Sequence, residues 1–172
     1  RLNPLDYQNF QVLAGVYEFL ASININQAYE SAKVTYEKAL SLNPNNPELL
    51  LNMARLEIGQ NNFEEARALL EKALTIKTNY ASSIVLLSQL DVEDGNTTNA
   101  INRLESALAK NPYDTNLLFQ LGLLSYRNGN YVGAIESFKN AVAFSQGGIN
   151  ANASYFLGLS YAENGQRSLA VE

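Results

Sequence analysis

Apolar and polar positions alternate along the chain with the spacing of helices interrupted by short turns. In the stretch 47–80, apolar residues recur at i, i+3 and i+4 on both sides of a polar break at 61–62, as they do along one face of an α-helix. Breaks rich in Gly and Asn follow at 94–96 and 128–130. Because Gly and Asn tolerate positive φ, they end helices and reverse the chain. The pattern predicts helix pairs joined by tight turns, and thus an all-α fold.

The small residues follow a period of 34 positions. One alanine series consists of Ala32, Ala66, Ala100 and Ala134, and a second consists of Ala39, Ala73, Ala107 and Ala141. A fixed period of 20–50 residues is typical of repeat proteins. The period divides the chain into the tail of a preceding repeat at 1–6, repeats at 7–46, 47–80, 81–114 and 115–150, and a partial repeat at 151–172.

The first repeat is longer than its neighbours, and its extra residues lie near 21–27. A longer first helix or an extended turn would accommodate them. Ile23 and Ile25 lie in this insertion. We expect both to be buried against the second helix, because apolar residues at a turn tend to be covered unless they bind something. Both ends of the chain match incomplete repeats, which predicts a piece of a longer array.

The repeats resemble the tetratricopeptide repeat (TPR). The resemblance rests on the alanine that opens each second helix, on the closing prolines Pro4, Pro44 and Pro112, and on residue pairs in the first helices: Leu13-Ala14, Met53-Ala54, Leu87-Ser88, Leu121-Gly122 and Leu157-Gly158. It implies a right-handed α-α superhelix, or solenoid, of about four and a half helix-turn-helix repeats. It also implies a scaffold role, with a protein or peptide as the partner.

In this family the first helices line a concave groove, so their outward-facing residues are the candidate partner-binding site. Counting from the start of each repeat places these residues in the groove: Leu51, Arg55, Val85, Gln89, Phe119, Leu123, Tyr126, Tyr155 and Leu159. The aromatic members and Leu123 would form one patch, and aromatic anchors dominate many interfaces. Two interpretations of the patch stay open: it binds a partner, or it is covered by packing between repeats or by a capping helix.

The composition offers little to catalysis. The chain has no His and no Cys, which are the usual residues of acid–base and thiol chemistry. It contains no Gly-rich phosphate loop, nucleophile elbow or zinc-binding helix motif. We therefore expect no enzymatic activity, cofactor or metal. A net charge of −5 without a basic run argues against nucleic-acid binding, and the lack of a long apolar run predicts no membrane span.

Three functions follow from these observations. The first is a scaffold that binds a protein or peptide, and the second is a structural element that self-associates by stacking of repeats. The third is an accessory domain of a larger bacterial envelope enzyme, because the repeats are also similar to TPR regions of envelope proteins such as O-antigen polymerase/ligase-like proteins. The compartment stays open between the cytoplasm and the envelope.

Asn96 begins an Asn-Thr-Thr sequon in a predicted turn. This residue is the candidate glycosylation site if the chain is exported. Helix capping is the favoured interpretation, because Asn is common at helix starts and abundant throughout this chain.

Overall fold

The computed structural model describes residues 6–145 and 151–170, and every regular element in these ranges is helical. The elements are α1 (Tyr7–Ser22), α2 (Ala28–Leu42), α3 (Pro47–Gly59), α4 (Phe63–Ile76), α5 (Ala81–Glu93), α6 (Thr97–Leu108), α7 (Thr115–Arg127), α8 (Tyr131–Ala143), α9 (Ala151–Glu163) and a 3₁₀ helix at Arg167–Ala170. The all-α prediction is confirmed. The predicted tail at 1–6, the end of the fourth repeat and the last two residues of the fifth fall wholly or partly outside the described ranges.

Polar side chains fix the starts of three first helices. Asp6 accepts a hydrogen bond from the backbone N–H of Gln8 at 3.0 Å, at the start of α1. Asn46 and Asp114 each accept from two backbone N–H groups, at the starts of α3 and α7. These bonds satisfy donors that have no partner inside the helix. Short polar residues ahead of the apolar stretches therefore set where the first helices begin.

The turns inside the helix pairs adopt the predicted left-handed backbone. Asn61 has φ of 61°, Gly95 has 77° and Gly129 has 74°. A residue with a left-handed backbone conformation at this position reverses the chain directly after a helix. This conformation costs Gly little, and Asn adopts it more readily than most other residues. The prediction from the polar breaks is confirmed at all three positions.

By its internal contacts the chain separates into two compact units, Arg1–Ser83 and Ile84–Glu172, named here unit 1 and unit 2. In unit 1, α1 packs against α2, and α3 packs against α1, α2 and α4. Its buried cluster joins Tyr36 and the alanines of α1 and α2 to the apolar face of α3, formed by Leu49, Met53 and Leu56. Each first helix in this unit thus inserts large side chains beside small ones.

In unit 2, α7 packs against α6 and α8, and α9 packs against α8 and the 3₁₀ helix. The buried cluster contains Leu118, Phe138 and Ala153, with Phe156 packed against it. Phe138 is fully buried, and its ring stacks on that of Phe156 with 5.7 Å between centroids. Aromatic rings therefore fill much of the core of this unit.

All members of the two alanine series are buried. Small residues are required where helix backbones approach one another, because a larger side chain would force the helices apart. Gly122 shows the same requirement: a Cβ built there would lie 2.6 Å from Cε1 of Phe138. The small residues that recur every 34 positions in the sequence therefore mark the places where helices pack closely.

The expectation that Ile23 and Ile25 are buried is wrong, since both are about half exposed. They lie in the turn after α1, where Asn24 and Gln27 have positive φ. The N–H of Ile25 donates to the carbonyl of Leu20 at 3.0 Å. This turn closes on the end of α1 itself, so its isoleucines do not become part of the packed face of α2.

Candidate functional site

A cleft in unit 1 lies between α1 and α3, the two first helices of this unit. It has a volume of about 650 Å³. Its lining is mostly polar, and the residues are Tyr7, Gln8, Gln11, Val12, Gly15, Glu18, Tyr36, Glu48, Asn52 and Arg55. Several hydrogen-bond donors and acceptors therefore line this cleft, which suits a ligand that itself has both donors and acceptors.

Tyr36 and Glu18 form a hydrogen-bonded pair in this cleft. The Tyr36 hydroxyl donates to Oε2 of Glu18 at 2.6 Å. Burial of Tyr36, together with the adjacent carboxylate, raises the pKa of the phenol above its ordinary value, because both disfavour the phenolate. Tyr36 is therefore a neutral hydrogen-bond donor at physiological pH and holds Glu18 against α2.

A second cleft lies in unit 2 and is smaller, with apolar residues at its base. Its volume is about 240 Å³, and its residues come from α5, α6 and α7: Val85, Ser88, Gln89, Val92, Glu93, Leu104, Gln120, Leu123, Leu124 and Arg127. Valine and leucine side chains form most of the apolar part. This volume is below the usual 300–1,000 Å³ of pockets for small-molecule ligands, but it suits an aliphatic side chain.

Two primary amides border the unit 2 cleft, Gln89 from α5 and Gln120 from α7. Gln89 is exposed and Gln120 is half-buried. An amide side chain offers both a donor and an acceptor, and it can pair with the C=O and N–H of another chain. Glu93 and Arg127, one acidic and one basic, complete the polar lining. The cleft thus combines an apolar base with groups that match a peptide backbone.

Four aromatic residues of unit 2 form a continuous set of ring contacts around Phe156. The rings of Phe119 and Tyr126 each lie 6.1 Å from that of Phe156, and the ring of Tyr155 lies 5.4 Å from it. Phe119 also contacts Phe138 at 5.7 Å. These contacts place Phe119 and Tyr126 against the core of unit 2, whereas Tyr155 is 64% exposed. The predicted aromatic patch is therefore partly core and partly surface.

The predicted groove residues differ in exposure. Leu51 and Val85 are buried, and Arg55, Gln89 and Tyr155 are exposed. The half-buried residues are Phe119, Leu123, Tyr126 and Leu159. The structure brings Val85, Gln89 and Leu123 together in the unit 2 cleft and places Arg55 in the unit 1 cleft. Whether these residues bind a partner stays a prediction.

Asn96, the predicted glycosylation candidate, is exposed at the residue before α6, where its side chain makes no capping hydrogen bond. Asn96 therefore occupies the N-cap position that the favoured interpretation expects, but it does not form the hydrogen bond of a cap. Glycosylation at this residue stays a prediction.

A buried polar cluster in unit 1 was missed by the sequence reasoning. Glu57 of α3 is 1% exposed. Its carboxylate lies 3.0 Å from Nζ of Lys33 and accepts hydrogen bonds from Tyr29 at 2.9 Å and Asn62 at 2.7 Å. The available indication was Glu57 itself, a carboxylate at a position of the apolar stripe, because a buried charge requires partners. The cluster connects α2, α3 and the turn before α4.

The pKa shifts in this cluster follow from its contacts. Burial acts to raise the pKa of Glu57, but hydrogen bonds from Asn62, Lys33 and Tyr29 outweigh it, and the net pKa is lowered. The bond to Glu57 raises the pKa of Lys33 despite partial burial. In unit 2, Asp91 stands 34 residues after Glu57 and pairs with Arg103, with 3.0 Å between Oδ2 and Nε. A paired carboxylate therefore recurs at this repeat position.

Within residues 6–145 and 151–170, no three His, Cys, Asp or Glu side chains come together as ligands for a metal ion. No helix in the same ranges has both the length and the hydropathy needed to cross a bilayer.

Comparison with known proteins gives matches to one family. Two family models described as tetratricopeptide repeat match residues 25–87 and 85–149. No curated protein matches the chain. The predicted resemblance to tetratricopeptide repeats is confirmed, whereas the resemblance to O-antigen ligase-like proteins is not supported by these matches.

Three solved structures illustrate the likeness. MamA is 26% identical over 84% of this chain and 83% of its own, with a TM-score of 0.65. YrrB, described as a TPR protein with an unusual peptide-binding site, is 25% identical over 98% of this chain and 83% of its own, with a TM-score of 0.59. A thermophilic TPR protein of Thermus thermophilus is 23% identical over 96% of this chain and 86% of its own, with a TM-score of 0.69; at this identity the likeness concerns the fold alone.

Proposed function

Because the chain belongs to the tetratricopeptide repeat family, we propose that it is a non-catalytic scaffold that binds an extended protein or peptide segment between its first helices. The observation that carries this proposal is the unit 2 cleft, where Gln89 and Gln120 border an apolar base. An extended peptide is complementary to such a lining, because its side chains project from a backbone whose N–H and C=O groups remain available for hydrogen bonds. The peptide-binding site attributed to YrrB supports the assignment.

The expected ligand places one aliphatic side chain in the unit 2 cleft. Leu123 and Val92 contact this side chain, which gains by leaving water. The amides of Gln89 and Gln120 pair with the ligand backbone on either side of it. Glu93 and Arg127 carry opposite charges. They favour a peptide without a large net charge, because one of the two side chains would repel a strongly charged peptide of either sign.

The polar cleft of unit 1 offers a second contact region in this proposal. Arg55 and Glu48 are exposed on α3, and Gln11 is half-buried on α1. Exposed charges of both signs affect partner choice and association rate more than affinity. We therefore assign anchoring to the unit 2 cleft and selection among partners to the unit 1 cleft.

A peptide-display selection on the full chain, followed by titration of a selected peptide, tests the proposal. We expect Leu123→Ala and Gln89→Ala each to weaken binding at least fivefold, while Val132→Ala and Gln60→Ala, at exposed positions outside the cleft, leave it unchanged. Circular dichroism would verify that helicity is kept in every variant. Equal effects of the cleft and control variants, or selected peptides without an aliphatic residue in common, would contradict the proposal.

A further inference from the structure

A further cleft in unit 2 is lined by residues of α6, α7 and α8, and is named here the α6–α8 cleft. Its volume is about 250 Å³. It shares no lining residue with the unit 2 cleft, since α7 contributes Leu118, Leu121 and Ser125 here and different residues there. A ligand in one cleft therefore does not compete for the side chains of the other.

The charged side chains in the lining of the α6–α8 cleft are acidic. Glu105 of α6 and Glu136 of α8 are both exposed, and the described lining includes no basic residue. Within residues 6–145 and 151–170, neither carboxylate forms an ion pair, although Lys139 follows Glu136 by three positions on the same helix. Two such carboxylates on separate helices give this cleft a negative potential, which attracts a cation.

Two buried hydroxyl groups line the same cleft without a hydrogen-bond partner in the part of the chain that the structure describes. Ser125 of α7 is 5% exposed and Ser137 of α8 is 6% exposed. Ser88 and Ser160 are buried to a similar extent, but each donates to the carbonyl four residues earlier. Buried polar groups without partners are costly and uncommon. The hydroxyls of Ser125 and Ser137 therefore indicate a ligand that completes their hydrogen bonding.

We propose that the α6–α8 cleft binds the lysine side chain of a partner protein. An ammonium group has three N–H donors, and the hydroxyls of Ser125 and Ser137 with the half-buried amide of Asn140 supply three uncharged acceptors. The two carboxylates of the lining compensate its charge. The aliphatic stem of the lysine packs on Leu118 and Leu121, since such stems cover apolar surface while the charged end stays with polar groups.

Lysine fits these acceptors better than arginine does. The guanidinium group of arginine is planar and favours two parallel hydrogen bonds to one carboxylate. The uncharged acceptors of this cleft are instead single oxygen atoms on two helices, α7 and α8. An ammonium group directs its three donors apart, so it reaches such acceptors separately.

The partner is a different protein with a basic segment. The chain has a net charge of −5, which disfavours a second copy of itself as the partner because like charges repel. The exposed carboxylates at the cleft increase the rate at which a basic segment associates, and salt reduces this effect. Because the two clefts of unit 2 share no residue, this partner binds beside the ligand of the proposed function and does not replace it.

Peptide display on the full chain, with counter-selection against the double variant Glu105→Gln, Glu136→Gln, isolates peptides that use the α6–α8 cleft. We expect these peptides to share a lysine. One of them is then synthesised and titrated. Replacement of its lysine by norleucine, whose side chain keeps the stem but lacks the ammonium group, should weaken binding about tenfold. Replacement by arginine should weaken binding about threefold.

Ser125→Ala and Ser137→Ala separate binding from folding. Each removes a hydroxyl that has no partner among the described residues, so the midpoint of thermal unfolding should stay the same or rise. The affinity for the lysine peptide should nevertheless fall about threefold. Ser106→Ala, at an exposed position of α6 outside the cleft, is the matched control and should change neither quantity.

The outcomes that contradict this proposal differ from those that contradict the proposed function. The lysine site would be overturned if the counter-selection leaves no peptide, if the norleucine or arginine peptide binds as tightly as the lysine peptide, or if Ser125→Ala leaves its affinity unchanged. A peptide selected for the unit 2 cleft should not displace the lysine peptide. Displacement would show that the two ligands use one site, which also overturns the lysine site.

Discussion

Nζ of Lys33 lies 3.0 Å from Oε1 of Glu57, which makes an ion pair between α2 and α3 at a carboxylate that is almost fully buried. The Tyr29 hydroxyl and the Asn62 amide complete the partners of this carboxylate. Removal of one partner from such a cluster leaves the rest without compensation, which costs more than the net contribution of the bond. The stability of unit 1 therefore depends on this group.

Glu57→Gln is expected to lower the free energy of unfolding by about 1–3 kcal/mol. The substitution keeps the shape of the side chain but removes the charge that Lys33, Tyr29 and Asn62 surround. Urea denaturation followed by circular dichroism measures the loss. Glu71→Gln, at an exposed position of α4, is the control and is expected to change stability by less than about 0.5 kcal/mol. If Glu71→Gln loses as much free energy of unfolding, the loss in Glu57→Gln does not come from the buried cluster.

The same carboxylate predicts an acid-sensitive step. The pKa of Glu57 in the folded chain is below its ordinary value of 4.5. A depressed folded pKa contributes stability that is present above the unfolded pKa and is lost as pH falls through the folded one. Unfolding free energy measured from pH 7 down to about pH 3 should therefore fall more steeply below pH 4.5 in wild type than in Glu57→Gln. Parallel curves would show that other carboxylates cause the decrease.

Gly122→Ala is expected to destabilise the protein by about 1–3 kcal/mol. The added Cβ would lie 2.6 Å from the Phe138 ring, which is fully buried and stacked on Phe156. Gly15→Ala is a matched control, because nothing lies within 4 Å of a Cβ built at that helical position. It should stabilise by about 0.5–1 kcal/mol through reduced backbone entropy of the unfolded chain. Thermal unfolding of the two variants should therefore shift in opposite directions.

Phe119→Ala and Tyr155→Ala separate the two interpretations of the aromatic patch. Phe119 contacts both Phe138 and Phe156, so its truncation should lower the free energy of unfolding by about 2–4 kcal/mol. Tyr155 is mostly exposed, and its loss should cost less than about 1 kcal/mol. A peptide titration of Tyr155→Ala then reports on binding without a stability effect. If both truncations are equally mild, Phe119 does not belong to the core.

Much of the fold follows from local patterns that the sequence displays directly. The alanine series and the Gly and Asn breaks predicted helix pairs and their turns, because helix spacing and left-handed turns are properties of a few neighbouring residues. Counting along the repeats selected Val85, Gln89 and Leu123, which the structure brings together in the unit 2 cleft; their role in binding stays a prediction. The same count cannot tell that Val85 is buried while Gln89 is exposed, because burial depends on side chains from other helices.

Two features escaped prediction for physical reasons. The partners of Glu57 come from residues as far as 28 positions earlier, and no spacing rule connects them. The exposure of Ile23 and Ile25 results from a turn that closes on the end of α1, whereas the general tendency of apolar residues to be covered favours burial. In both cases the tertiary arrangement, and not the local pattern, determines the outcome.

In the proposed function, the amide pair at Gln89 and Gln120 has a consequence for ligand selectivity. Groups that recognise the main chain recognise what every peptide shares, so they contribute affinity without discriminating among sequences. Within the unit 2 cleft, discrimination then comes only from the fit of a single side chain in a small apolar space, where a difference of one methylene changes affinity only modestly. Most of the selection among partners therefore stays with the exposed charges of the unit 1 cleft. A scaffold built in this way accepts a family of related segments and is expected to exchange them readily.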